Sequence, residues 1–242
     1  MPAAPITIDQ IQALIGETVY DPYGRVLGKL VSIDSDVDGV VTSIAVEDEK
    51  HSLSFIQASS LKIDGGRIVV LPEWKVLANN TLSAYATALK RIKGLEDMYS
   101  RNEIPSQVYR ELRKKLDSSI SRLKEEAKKL RDMIRKRSHE LEDENLKLER
   151  AIASLKVSYF AGEIGEKAYK VAIDFLRKAK DSNARELDDL RAVTKKIESL
   201  ESGLYEAAKP EKTQVKEEKH HEEKQEPEIP TVQPIPVKII SG

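Results

Sequence analysis

From Tyr109 onward, apolar residues return every three or four positions: Tyr109, Leu112, Leu116, Ile120, Leu123, Ala127, Leu130 and Ile134, then Leu141, Leu148, Ile152, Leu155 and Tyr159. This spacing draws one narrow apolar seam along a helix, and nearly every position between is Lys, Arg, Glu, Asp or Ser. Such a helix buries one stripe against partner helices, so the stretch from about Leu82 to Leu204 reads as a rod and not a globule. Arg137 and Asn145 are polar intrusions in the seam, a device that fixes register or relieves packing.

Two interruptions divide the rod, and they resemble each other. Tyr99-Ser100-Arg101-Asn102-Glu103-Ile104-Pro105 and Tyr159-Phe160-Ala161-Gly162-Glu163-Ile164-Gly165 lie sixty residues apart, and the correspondence continues from Tyr109 to Tyr169, Leu116 to Leu176 and Leu130 to Leu190. Asn102 or Gly162 suits the left-handed residue that ends a helix, and Pro105 suits the first turn of the next. The spacing predicts helices over about 81–100, 106–160 and 166–204, joined by two helix-turn-helix reversals. The middle helix would be on the order of 80 Å long at about 1.5 Å per residue.

Before the rod the period changes. Thr18 to Asp21, Val26 to Ile33, Val40 to Glu47, Leu53 to Phe55 and Arg67 to Leu71 are strand candidates, separated by the turns Asp21-Pro22-Tyr23-Gly24, Asp38-Gly39, Glu47-Asp48-Glu49-Lys50 and Asp64-Gly65-Gly66. Five or six short strands with glycine turns predict a small closed sheet. The run Asp34-Ser35-Asp36-Val37-Asp38-Gly39 reproduces the start of a calcium-binding EF-hand loop. Its twelfth position is Ala45 and its flanks are strands, so a solvated hairpin turn is the better reading.

After the rod comes a linker dominated by Lys, Glu and Gln over 207–228, without a seam, whose composition predicts disorder. It gives way at 229–242 to a segment with proline at 230, 234 and 236, followed by Val237-Lys238-Ile239-Ile240, which has strong strand character. An apolar strand-former at the end of a polar tether is a recognition peptide of the kind that adds a strand to a partner's sheet edge. The chain thus divides into a β domain at 1–78, a coiled-coil rod at 79–206, the linker and the peptide.

Composition narrows the chemistry. The chain is 33% charged and 5% aromatic, which suits long solvated helices better than a compact enzyme. No cysteine is present, so disulfides and thiol sites are unavailable. The four histidines, His51, His139, His220 and His221, stand in a turn, on a charged helix and in the linker, and no phosphate-binding glycine loop occurs. Neither a catalytic set, a cofactor, a metal site nor a small-molecule substrate is expected. The N-terminal residues lack a basic-then-apolar leader and no run is long enough to cross a bilayer, which predicts a cytoplasmic protein.

Charge is segregated. Between Arg110 and Arg137 there are 12 Lys or Arg against 5 Asp or Glu, whereas residues 1–80 hold 6 against 11. A row of Arg113, Lys114, Lys115, Lys124, Lys128, Lys129, Arg135 and Arg137 would suit anionic lipid or DNA phosphate. The competing reading is a solvated coiled-coil face whose acidic partners, such as Glu186, Asp188 and Asp189, come from another helix. No aromatic residue is interleaved to stack bases, which argues against single-stranded or sequence-specific recognition.

The residues Ile15-Gly16, Val19, Asp21, Gly24, Gly28, Lys29 and Leu30, with Gly39 to Val46 and Asp64 to Val70, resemble a PRC-barrel domain, a small β-barrel that usually serves as an adaptor. The order of barrel, coiled coil, charged linker and terminal peptide resembles the CdvA family of crenarchaeal cell-division proteins. That resemblance implies self-association into dimers and filaments at the division site, peripheral to the membrane. It also implies capture of the winged-helix region of the ESCRT-III-like protein CdvB by Ile235, Pro236, Val237, Lys238, Ile239 and Ile240. The alternative reading is a DNA-organising coiled-coil filament protein. An enzyme subunit or ribosome-maturation factor built on the barrel fits less well, because the coiled coil would be surplus.

Overall fold

The computed structural model describes residues 5–208. The chain opens with a one-turn helix, α1 (Ile8–Ile11), and then forms six strands: β1 (Thr18–Tyr20), β2 (Val26–Ser35), β3 (Val41–Glu47), β4 (Leu53–Gln57), β5 (Leu61–Asp64) and β6 (Arg67–Val70). Three long helices follow: α2 (Glu73–Ser100), α3 (Ser106–Phe160) and α4 (Glu166–Ala208).

The strands make one sheet in the order β4-β3-β2-β1-β6-β5, antiparallel except for the β1–β6 pair. The expected closed barrel is therefore corrected to an open sheet, because β4 and β5 are its two edges and do not pair. They are nonetheless consecutive in the chain, joined only by the 3-10 turn Ala58–Ser60. Three residues span at most about 10 Å, so the sheet must curl until its edges meet at this corner. The turn then takes the backbone round the corner instead of along a ladder. Inside the curl lie Val19, Leu30, Val41, Ile44, Val46, Leu61 and Ile68, capped by Ile11 of α1. Gly28 is needed where β2 passes β3, since a Cβ there would fall 2.1 Å from the Glu47 carbonyl oxygen.

The Asp34–Gly39 run is a hairpin turn. Asp36 Oδ1 accepts the backbone N–H groups of Asp38 and Val40, and Asp34 Oδ2 accepts the Ser43 hydroxyl. These carboxylate oxygens bind the chain itself, as Asx-turn chemistry dictates.

The first long helix starts at Glu73, well before the expected position near 81, with Pro72 as its N-cap. Its buried face, Trp74, Ala78, Thr81, Tyr85, Ala88, Ile92 and Leu95, has helical spacing but is diluted by alanine and threonine. The boundaries of α3 fall where the sequence puts them. At each helix end the same motif appears. The N–H of Asn102 bonds to the Tyr99 carbonyl at 3.0 Å and that of Glu103 to the Met98 carbonyl at 3.0 Å; Gly162 to Tyr159 and Glu163 to Ser158 repeat this at 3.1 and 2.9 Å. Asn102 and Gly162 take φ of 57° and 77°, the left-handed conformation that such a helix end requires. Beyond each turn a tyrosine pair stacks, Tyr99 on Tyr109 at 4.2 Å and Tyr159 on Tyr169 at 4.3 Å.

Contacts along the helices define three stretches. Arg113 of α3 bonds Glu96 of α2. Farther along, Arg131 bonds Glu201, Arg137 bonds Glu186, and Glu149 accepts from Lys180, so α3 and α4 pair in antiparallel order. Leu123, Ala127, Leu130, Ile134 and Leu141 are buried together with Tyr85, Ala88 and Ile92 of α2 and Leu187, Leu190, Val193 and Ile197 of α4. Past Leu141 only α3 and α4 remain side by side.

Candidate assembly and partner-binding surfaces

Three surfaces emerge from this packing: the head–rod junction, the two-helix stretch of the rod, and the basic outer face of α3.

At the junction the β1–β2 turn of the head enters the rod. Tyr23 is buried in the rod core, its hydroxyl donating to Asp189 Oδ2 at 2.8 Å, while Ser182 Oγ donates to the Tyr23 carbonyl. Glu186, only 2% exposed, accepts from Arg25 at 2.6 Å, from Arg137 at 2.9 and 3.0 Å and from the Trp74 indole at 3.3 Å. Lys75 pairs with Asp189. Asn183 receives Arg25 and donates to Asn145 and Glu144.

Burial alone would raise the Glu186 carboxyl, but the guanidinium groups of Arg137 and Arg25 outweigh it and hold the group below the usual carboxylate range. The Arg137 guanidinium is correspondingly pushed up by its bonds to Glu186. Tyr23 is pushed up by burial and by its bond to Asp189. Every charge here has a partner, so the cluster fixes the register of head, α2, α3 and α4 against one another.

The polar intrusions Arg137 and Asn145 thus serve packing. Glu186 and Asp189 accept cations from other elements, while Asp188 bonds Arg191 on its own helix. Sequence reasoning did not single out Arg25, Tyr23, Trp74, Lys75 or Asn183. The signal available was Asn183, a polar residue at a seam position of α4 that mirrors Asn145 of α3.

The two-helix stretch is incompletely covered. Leu148, Ile152, Leu155 and Tyr159 of the seam are half-buried, whereas Leu123, Ala127, Leu130, Ile134 and Leu141 are buried. Beside them Val157 (67% exposed), Phe160 (84%), Val171 and Phe175 (71%) stand in solvent. Phe175, Val171, Ala168 and Ala172 form an open apolar trough.

The basic row divides. Arg113 and Arg137 are half-buried and bonded to carboxylates of this chain. Lys114, Lys115, Lys124, Lys128, Lys129 and Arg135 are exposed on the side of α3 away from its seam, and of these only Arg135 has an ion-pair partner among the described residues, Asp132 at 3.7 Å. The peptide residues Ile235, Pro236, Val237, Lys238, Ile239 and Ile240 lie outside the described residues. No described helix is long and apolar enough to cross a membrane.

Comparison with known proteins adds kinship to this geometry. Residues 73–221 match the model of the CdvA-like coiled-coil domain. The chain is 33% identical over 201 residues to cell division protein A of Sulfolobus acidocaldarius, covering 83% of this chain and 84% of that one. No solved structure matches it. A match through most of the rod, with a relative aligned along most of both chains, places this protein in the family of CdvA-like coiled-coil proteins.

Proposed function

We propose that the protein is a non-enzymatic cytoskeletal adaptor of archaeal cell division. In this reading it assembles on itself through its coiled coil at the inner membrane surface and recruits the ESCRT-III-like protein CdvB through residues 235–240. The head is a PRC-type domain that serves as an adaptor, and the two turns are reversals that double the rod back on itself. The cell-division role is supported by the relative named cell division protein A.

The observation that carries self-assembly is the half-covered seam beyond Leu141, where exposed Val157, Phe160, Val171 and Phe175 extend an apolar surface. Exposed apolar surface of this kind favours association. The recruitment reading is supported by the resemblance and by the apolar character of Val237, Ile239 and Ile240. Val237→Asp or Ile239→Asp would place a carboxylate in an apolar strand pocket, at a cost of several kcal/mol if unpaired. Pull-down of CdvB by the full chain should then be lost while self-association is unchanged. Undiminished capture by both variants would exclude the tail as the recruiting element.

The second reading, a DNA-organising filament, is favoured by the exposed Lys114, Lys115, Lys124, Lys128, Lys129 and Arg135. Counterion release separates it from recruitment by the tail. DNA binding through six cations should fall steeply with salt, whereas apolar strand capture should hold nearly constant.

A further inference from the structure

One reversal of the rod serves as an internal control for the other. Each has a left-handed residue at the same place, the same pair of capping bonds and the same tyrosine stack. With Tyr109 matched to Tyr169, Val171 and Phe175 of α4 occupy the places of Glu111 and Lys115 in α3. The first reversal thus forms with charged, exposed residues at both places, so the hairpin does not require apolar ones there. Val171 is nevertheless 51% exposed and Phe175 71%, and with Ala168 and Ala172 they make the open trough along the first turns of α4. Apolar side chains held in water where a charge would serve the fold equally well mark a surface that another surface covers.

We propose that the occupant of this trough is the same trough of a second copy, the two α4 helices crossing antiparallel about a two-fold axis that passes between Val171 and Ala172. The row is self-complementary about that midpoint. Ala168 and Phe175 lie equally far from it on opposite sides, so the two-fold sets the ring of each copy over the small methyl of the other, and Val171 over Ala172. A parallel pairing would instead set Phe175 against Phe175.

Charge points the same way. Lys167 lines the trough, and Asp174 follows it by seven residues, two turns of helix, so both stand along one side of it. Both are exposed, and neither has an ion-pair partner among the described residues, although Lys170 beside them pairs with Glu166. Like sides of two antiparallel helices meet, so the two-fold brings Lys167 of each copy within a turn of Asp174 of the other. Parallel pairing would put Lys167 beside Lys167 and Asp174 beside Asp174. The antiparallel contact presupposes the self-assembly reading above and gives it a site, an orientation and a symmetry.

Charge reversal in the full chain tests the orientation. Lys167→Glu alone opposes two carboxylates in each pair across the axis, and Asp174→Lys alone opposes two amines. Each should weaken association about tenfold at low salt. An equimolar mixture of the two variants restores opposite charges in both pairs, so it should associate as the parent does. Phe175→Ala should weaken association at low and high salt alike, because the contact it removes is apolar. Sedimentation velocity over a concentration series gives each of these strengths. Single variants that associate as the parent does, or a mixture no stronger than its components, would overturn the antiparallel contact. Provided the parent still assembles, either result leaves self-assembly resting on Val157 and Phe160 of α3. A parent that stays monomeric throughout the series would overturn both.

Discussion

The rod is built in two ways along one helix. Between Leu123 and Leu141 the seam of α3 lies against both α2 and α4, and every apolar seam residue is buried. From Leu148 to Tyr159 the same helix has α4 alone, and the same kinds of residue are left half-covered. The seam has the same spacing in both parts, so the difference lies in the number of partner helices. Two helices can shield a strict stripe but leave the rest of each helix open, and Val157, Phe160, Val171 and Phe175 stand there in solvent. One part of the rod is therefore a finished core holding the head, and the other presents a surface suited to a further chain.

The junction cluster marks the boundary between the two parts, and breaking it should have the largest effect. Glu186→Ala leaves Arg25 and Arg137 without their shared carboxylate, a loss of about 3–5 kcal/mol in unfolding free energy. The pH dependence follows from the depressed carboxyl. Its stabilising contribution is complete above the ordinary carboxylate range near about 4.3 and is lost as pH falls through the lower folded value. The gap in melting temperature between parent and Glu186→Gln should therefore be constant near neutrality and narrow on acidification. A gap that widens below pH 4 would contradict this assignment.

Truncating matched seam residues should cost more in the three-helix part of the rod than in the two-helix part. Leu130→Ala opens a cavity in the three-helix core and should cost about 3–5 kcal/mol. Leu155→Ala removes a half-buried side chain and should cost about 1–2 kcal/mol, since less burial is lost. Urea unfolding of the two variants at one fixed protein concentration gives both values. Equal losses would mean that the seam beyond Leu141 is as well covered as the seam before it.

Much of this was legible in the sequence, and the reasons are local. The seam of α3 is dense in leucine and isoleucine, so its period and its ends at Ser106 and Phe160 can be read directly. The start of α2 cannot, because its buried face relies on Ala78, Thr81 and Ala88, which carry little hydropathy signal. The strands were readable from their turns, except β5, whose four residues follow a 3-10 turn. That the sheet stays open was not readable, because it depends on whether the edge strands β4 and β5 pair beyond the turn Ala58–Ser60. At the junction, Arg137 and Asn145 were visible as breaks in a pattern. Arg25 and Trp74 belong to other patterns and meet Glu186 only in the folded chain.

On the proposed reading, copies of this chain meet at the two-helix stretch. Sedimentation velocity of the full chain at tens of micromolar tests it, comparing the parent with a variant carrying Val157→Glu and Phe175→Glu. Both positions are exposed, so the variant should fold, and each new carboxylate would have to be desolvated in an apolar interface. The parent should sediment as dimers or larger species and the variant as a monomer with unchanged helix content. A monomeric parent, or a variant that assembles as the parent does, would contradict the claim.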